Sequence, residues 1–270
     1  ANSYKGGTTV AYGTLKAGDS GSFGSSGTVT VSSGSILDVA GYSIARAVAL
    51  NGGTILSSTG SNGALTGGVT LGASTSYFAA GSGATLTISG SAITDGSSSY
   101  GVVSGTSGNT GTVLFSIANS YKGGTTVAYG TLKAGNSVSF GSGKVTVNDG
   151  ATLDVYGYSI TNDLDLYGQG VSSLGALVNT NVSQASAPTL TGTLTLKSAT
   201  YIGGSADYIL DSTSSNISGG FGLTKVGANQ VTLNDANTYT GGTTVSGGKL
   251  KSGNSGSFSS SGTVTAVSYT

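Results

Sequence analysis

The sequence predicts an all-β protein whose short parallel strands stack into a β-solenoid of about twelve coils. Three observations support this prediction. The chain repeats one phrase at a nearly fixed interval, its apolar and polar residues alternate over short stretches, and it is rich in glycine and poor in charge. A fixed interval is typical of repeat proteins, in which each structural unit buries its apolar face against the next one.

The repeated phrase occurs three times. Ala1–Leu15 and Ala118–Leu132 both read ANSYKGGTTVAYGTL, and Ala236–Leu250 reads ANTYTGGTTVSGGKL. The copies begin 117 and then 118 residues apart. Sandwiches and barrels do not repeat a phrase at such an interval, whereas a solenoid does so when several coils form one super-repeat.

The interval divides the chain into super-repeats at 1–117 and 118–235 and a partial one at 236–270. Because the same residue pattern continues between the copies, we expect residues 1–270 to form a single β-solenoid. At about 20–25 residues per coil, this length corresponds to about twelve coils.

Short alternating segments supply the strands. Gly27–Val31 reads GTVTV and Gly192–Leu196 reads GTLTL, which is the period of two expected for a strand with one buried face. Glycine, serine, asparagine and aspartate follow within a few residues and favour turns. The residues expected to face the core are Val29, Val31, Leu37, Val39, Val145, Val147, Leu153, Val155, Leu194, Leu196, Val231 and Leu233.

Composition excludes several kinds of function. The chain has no cysteine and no histidine, its formal net charge is zero, and only 7% of its residues are charged. A balanced charge argues against nucleic acid as a partner, because a duplex binder needs a basic surface. Thiol chemistry and histidine-based triads or zinc sites cannot be built. We therefore expect no metal and no cofactor, and no run is apolar enough to insert into a membrane.

Asp163 and Asp165 are the strongest candidates for chemistry. They are two residues apart, so on a strand both carboxylates point the same way. Clustered aspartates can serve a β-helix enzyme that degrades polysaccharides. The matching segment of the first super-repeat, Ala45–Leu50, has no acid, which favours a solvated outward face or a contact surface. Asp38 and Asp154 recur at matching positions, which favours a structural role such as capping a turn.

Tyr12 and Tyr129 are the aromatic candidates. Both stand beside glycine in a turn-like part of the phrase. Exposed tyrosine rings can stack on sugars or on a second protein chain, and buried ones can cover the edges of coils. We treat Tyr12, Tyr129, Asp163 and Asp165 as candidate residues for self-association or glycan contact.

The segment Phe221–Val245 (FGLTKVGANQVTLNDANTYTGGTTV) resembles the passenger-associated transport repeat of bacterial autotransporters. The resemblance extends to Phe258, and the copies at Ala1 and Ala118 carry its second half. It implies a right-handed β-helix that is either extracellular or displayed on the surface of a bacterium. The implied surface is that of the Gram-negative outer membrane. The resemblance by itself does not imply an activity.

The expected function is that of a non-enzymatic structural solenoid that acts in self-association, filament formation or adhesion. The alternative is a polysaccharide-degrading β-helix enzyme that uses clustered aspartates. Homo-association by end-to-end stacking is the expected partnership, because the phrase at Ala1 would fit after the coil that precedes Ala118. A segment of a longer passenger is the other explanation of the same repeats. Surface glycans or a host receptor are further candidate partners.

Overall fold

The computed structural model describes residues 1–212, 217–259 and 261–267. In this part of the chain, strands and turns dominate, and the helical content is one 3-10 turn at Val171–Ser173. The strands pair in parallel and stack as a β-solenoid of about 12 turns, so the predicted fold class is confirmed. No helix within the described ranges is long and apolar enough to cross a membrane.

Contacts divide the chain into two compact units, and the first is Ala1–Gly143. Its described strands are β1 (Thr8–Val10), β2 (Thr14–Lys16), β3 (Val29–Ser32), β4 (Ile36–Asp38), β5 (Ser43–Ile44), β6 (Val48–Asn51), β7 (Thr54–Ser57), β8 (Gly63–Leu65), β9 (Val69–Leu71), β10 (Thr75–Ala80), β11 (Thr85–Ile88), β12 (Ile93–Thr94), β13 (Gly101–Ser104), β14 (Thr112–Phe115), β15 (Thr125–Val127) and β16 (Thr131–Ala134).

These strands form three sheets in the first unit. Sheet A has the order β1-β3-β6-β9-β12, sheet B has β2-β4-β7-β10-β13-β15, and sheet C has β5-β8-β11-β14-β16. From β3 to β14 the chain visits the sheets in the order A, B, C in each coil. Strand β2 in sheet B is followed directly by β3 in sheet A, and β14 in sheet C is followed directly by β15 in sheet B. Every pairing is parallel, as β3 with β6 and β10 with β13 illustrate.

The second unit is Lys144–Thr270. Its described strands are β17 (Val145–Val147), β18 (Thr152–Asp154), β19 (Leu164–Leu166), β20 (Leu177–Asn179), β21 (Thr189–Leu190), β22 (Leu194–Leu196), β23 (Thr200–Gly204), β24 (Tyr208–Leu210), β25 (Ile217–Ser218), β26 (Leu223–Lys225), β27 (Gln230–Leu233), β28 (Thr243–Val245), β29 (Lys249–Ser252) and β30 (Val264–Ala266). Within this unit the strand orders are β17-β19-β22-β25 for sheet D, β18-β20-β23-β26-β28-β30 for sheet E, and β21-β24-β27-β29 for sheet F.

The core of each unit is a stack of inward-facing apolar side chains. All twelve residues predicted to face inward are between 0% and 4% exposed. In the first unit, the Phe78 and Phe115 rings meet edge to face with centroids 5.2 Å apart. Buried apolar side chains are often register partners of apolar side chains on the neighbouring coil, as Val31 is of Leu50. Burial of this apolar surface is the main stabilising contribution.

Candidate functional site

The repeated phrase builds a buried hydrogen-bond cluster around its asparagine. In the second copy, the side-chain Oδ1 of Asn119 accepts from the backbone N–H of Ile93 at 2.8 Å, and its Nδ2 donates to the backbone O of Ser139 at 2.6 Å. Asn119 is 4% exposed. One amide side chain therefore satisfies a backbone donor of the preceding coil and a backbone acceptor of the following one.

The tyrosine of the phrase is the second part of the cluster. Tyr121 is fully buried, and its hydroxyl forms a 2.6 Å hydrogen bond with Thr125 Oγ1. Thr125 Oγ1 in turn lies 3.2 Å from the backbone O of Phe140. Burial raises the pKa of Tyr121 far above its ordinary value, so the ring stays neutral in the folded protein.

The third copy repeats this arrangement in the second unit. Asn237 Oδ1 accepts from the N–H of Ile217 at 2.7 Å and its Nδ2 donates to Ser257 O at 2.6 Å. The Tyr239 hydroxyl and Thr243 Oγ1 are 2.5 Å apart, and Tyr239 is fully buried. In the second and third copies these signature residues are thus structural, because they connect successive coils and are shielded from solvent.

The paired glycines of the phrase are required by close packing. A Cβ atom at Gly123 would collide with the backbone of Tyr100 and Gly101. Gly124 has a φ of +89°, a conformation that other residues rarely adopt. The Gly-Gly pair therefore lets the phrase turn against the preceding coil before β15 begins.

Asp38 and Asp154 cap turns, as their recurrence predicts. Asp38 Oδ1 accepts from the N–H groups of Ala40 at 2.8 Å and Ser58 at 3.1 Å. Asp154 Oδ1 accepts from the N–H groups of Tyr156 at 3.0 Å and Thr180 at 3.1 Å. Both carboxylates are buried. Each one holds the residue two positions later, Ala40 or Tyr156, at a positive φ of 52° or 44°.

Asp163 and Asp165 lie on the same outward face of sheet D but have different partners. Asp163 accepts from the N–H of Thr193 at 2.9 Å and from its hydroxyl at 2.8 Å. These two hydrogen bonds hold the pKa of Asp163 below its ordinary value. Asp165 lies between two lysines, 3.2 Å from Lys144 Nζ and 3.6 Å from Lys197 Nζ. With these two lysines, the pair forms a row of balanced charge on this face.

Tyr12 and Tyr129 both face solvent in the first unit. Tyr12 is 92% exposed in the turn between β1 and β2, and Tyr129 is 46% exposed between β15 and β16. Both are therefore accessible for a contact with sugar or protein. Asp163 and Asp165 belong to the second unit.

A buried lysine is a feature that sequence reasoning missed. Lys225 is the last residue of β26, occupies an inward position and is 0% exposed. Its Nζ donates to three backbone oxygens, those of Val226 at 2.6 Å, Gly227 at 3.1 Å and Gly247 at 3.3 Å. Burial lowers its pKa to about 8, against an opposing effect of the Asp207 charge. The amine therefore links the turn after β26 to the next coil.

A groove on the outer side of sheet B was also not predicted. It has a volume of about 500 Å³ and lies wholly in the first unit. Ile36, Thr54 and Tyr77 form its floor in one row across β4, β7 and β10. Outward positions of a solenoid are expected to be polar, so no sequence pattern pointed to this cluster. The groove is lined by Ser33, Gly34, Ile36, Gly52, Thr54, Leu56, Tyr77, Thr106, Ser107 and Asn109.

Comparison with known proteins identifies the repeats. A family model described as the passenger-associated-transport-repeat matches residues 1–17, 108–134 and 223–251. No curated protein and no solved structure matches the chain. The predicted resemblance is confirmed: the chain carries passenger-associated transport repeats and folds as a β-solenoid, and both are consistent with an autotransporter passenger domain. These repeats indicate an extracellular or cell-surface location.

Proposed function

We propose that this chain is a non-enzymatic structural segment, displayed at the Gram-negative outer membrane, that acts by self-association through its outward faces. The main support for the proposal is the composition of the outer face of sheet A. Its central row reads Thr9, Thr30, Ala49, Thr70 and Thr94 across five paired strands. The row contains only small uncharged side chains, so a second flat face can approach it closely.

Electrostatics support the same proposal. The formal net charge is zero, so two copies repel each other weakly. Threonine hydroxyls both donate and accept hydrogen bonds and can pair across the contact. By comparison, the outer faces of sheets B and C carry charged or bulky side chains, such as Lys16, Tyr77 and Lys133.

The carboxylates support a non-enzymatic role. Polysaccharide cleavage by two carboxyl groups needs one of them protonated, which requires a raised pKa. Thr193 instead holds the pKa of Asp163 low, and Asp165 is paired with Lys144 and Lys197. We retain Tyr12 and Tyr129 as proposed contact residues. Surface glycans or a host receptor are retained as proposed partners.

End-to-end stacking of copies remains a prediction, and the structure adds a geometric condition to it. The phrase at Ala1 places its strand β1 in sheet A, whereas the phrase at Ala118 places β15 in sheet B. If the first phrase of one copy took the place of the second phrase in another copy, its strand would have to move from sheet A to sheet B. The incoming copy would therefore have to be rotated about the solenoid axis by about a third of a turn.

Sedimentation velocity over a concentration series tests self-association. We expect the wild-type chain to form larger species as its concentration rises, with little dependence on salt. The double variant Thr30→Lys/Thr70→Lys places charges in the row of sheet A and should remain monomeric. The matched control, Thr85→Lys/Thr112→Lys, places the same charges in one row of sheet C and should associate normally.

Two results would contradict the proposal. A wild-type chain that is monomeric at every concentration would exclude self-association. Association that the sheet C control abolishes and the sheet A variant does not would show that the wrong face has been assigned.

A further inference from the structure

We propose that the groove on sheet B of the first unit binds a neutral glycan. The proposal goes beyond self-association, because a single chain can bind a sugar. A volume of about 500 Å³ lies within the range of ligand-binding clefts, about 300–1,000 Å³. The groove is large enough for about two or three sugar rings, since such clefts enclose drug-sized molecules.

The floor provides the apolar part of the recognition surface. Tyr77 lies beside Thr54 in the register of β10 and β7, and Ile36 lies on the other side of Thr54. Leu56 is two residues beyond Thr54 on the same face. These side chains are partly exposed in spite of their apolar surface. A tyrosine ring flanked by aliphatic groups matches the C–H face of a sugar ring, which stacks on aromatic surfaces.

The walls provide hydrogen-bonding groups without charge. Ser33, Ser107 and Asn109 line the rim, and the lining contains no acidic or basic side chain. Sugar hydroxyls need donors and acceptors of this kind, and water can complete the contacts. An anionic ligand would meet no cation in this groove, so the uncharged lining favours a neutral glycan.

One wall is held in place before any ligand arrives. Thr106 and Asn109 form an isolated antiparallel bridge, and the N–H of Asn109 donates to Thr106 O at 2.9 Å. Asn109 Nδ2 also donates to Thr106 Oγ1 at 3.0 Å. The loop between β13 and β14 therefore stands out from the coil as a closed hairpin, and ligand binding need not order it.

An extended peptide is a poorer occupant because the floor offers no free strand edge. Strand β4 pairs with β2 and β7, β7 pairs with β4 and β10, and β10 pairs with β7 and β13. Their backbone groups are used within sheet B. Peptides that add to a sheet need an open edge, so recognition here must go through side chains.

The test uses defined sugars and the intact chain. Hexasaccharides of glucose, mannose, galactose and N-acetylglucosamine are titrated by calorimetry and saturation-transfer NMR, with hexagalacturonate as the acidic comparison. We expect at least one neutral hexasaccharide to bind and hexagalacturonate not to bind. Tyr77→Ala should weaken binding about tenfold or more, as expected for loss of a central aromatic contact.

The controls separate a lost contact from a lost fold. Tyr42→Ala removes a 39% exposed ring that does not line the groove and should leave binding unchanged. Thr54→Arg fills the floor while retaining the Tyr77 ring and should also abolish binding. If circular dichroism shows that Tyr77→Ala does not fold, the Thr54→Arg variant provides the test of the groove. The proposal is overturned if no neutral hexasaccharide binds, if hexagalacturonate binds as well, or if the folded groove variants bind like the wild type. Sedimentation is read separately, so failure of self-association leaves this test unaffected.

Discussion

Ala1–Leu15 and Ala118–Leu132 have identical sequences but occupy different places in the first unit. The first copy supplies β1 to sheet A, and the second supplies β15 to sheet B. The 117-residue interval therefore spans about five and one-third turns, or about 22 residues per turn. The phrase forms the same local structure on whichever sheet it reaches, because its hydrogen bonds are made to adjacent coils and not to a particular face.

Burial differs between the two copies although their hydrogen bonds are alike. The hydroxyl–hydroxyl distance is 2.6 Å both for Tyr4 with Thr8 and for Tyr121 with Thr125. Tyr4 is 42% exposed and Tyr121 is 0% exposed. Tyr121 lies under a preceding coil, since the N–H of Ser120 donates to Ile93 O in β12. The comparison separates the local bond, which the phrase fixes, from the burial, which neighbouring coils supply.

The largest effect should follow removal of the buried ring. Tyr121→Ala leaves a cavity between coils and should lower the free energy of unfolding by about 3–5 kcal/mol. Tyr4→Ala, the same change in the same phrase, should cost about 1 kcal/mol or less. Urea denaturation measures both. Equal losses would show that burial does not distinguish the two copies.

A smaller effect should follow removal of the asparagine side chain. Asn119→Ala leaves the N–H of Ile93 and the O of Ser139 buried without these partners, which should cost about 2–4 kcal/mol. Asn2 makes the matching bond to Ser22 O at 2.6 Å in an exposed position. Asn2→Ala should therefore cost less than about 1 kcal/mol. Hydrogen exchange at the Ile93 amide gives an independent measure and should accelerate in Asn119→Ala alone.

The strands that precede the second and third copies carry chemically different residues at their last inward position. Ser104 pairs with Val127 in the first unit, and Lys225 pairs with Val245 in the second. Ser104 Oγ has no hydrogen-bond partner among the described residues, whereas Lys225 Nζ has three. The same position therefore accepts either a small side chain or a long one that reaches the backbone of the next turn.

This difference predicts a pH dependence. The folded pKa of Lys225, about 8, lies below its ordinary value of 10.5, so the unfolded chain binds more protons between these values. The free energy of unfolding should therefore rise by about 1–2 kcal/mol from pH 8 to pH 10. Above pH 10 the buried Tyr121 and Tyr208 reverse the trend, because burial raises their pKa values. Lys225→Met should abolish the rise, and a rise of the same size in this variant would contradict the assignment.

Much of the fold was predictable because solenoid physics is local. All twelve residues that alternation predicted to face inward are buried, and the recurrence of Asp38 and Asp154 indicated their turn-capping role. The phase of the repeat was not predictable, because turns vary in length. Paired residues are 19 apart for Val29 and Val48 but 23 apart for Thr54 and Tyr77. Because the spacing varies in this way, the sequence does not reveal that the second copy of the phrase is displaced by one-third of a turn from the first.

The candidate site was less predictable for a related reason. Whether a tyrosine such as Tyr12 or Tyr121 is exposed depends on the coils above and below, which the phrase does not specify. The groove around Tyr77 arises from residues on three separate coils and one protruding hairpin. Alternation along β26 placed Lys225 at an inward position. Because charged residues are expected to face solvent, the sequence alone did not predict that this lysine is buried.

Cysteine crosslinking tests the shift from sheet A to sheet B most directly, because the chain has no native cysteine. Val103 and Thr126 are register partners in sheet B, and neighbouring strands lie about 4.8 Å apart, within reach of a disulfide. We predict that Val103→Cys/Thr126→Cys crosslinks on oxidation and that Thr94→Cys/Thr126→Cys does not, as read by mass spectrometry of unreduced peptides. Crosslinking of the Thr94 pair in place of the Val103 pair would place the second copy in sheet A and contradict the account.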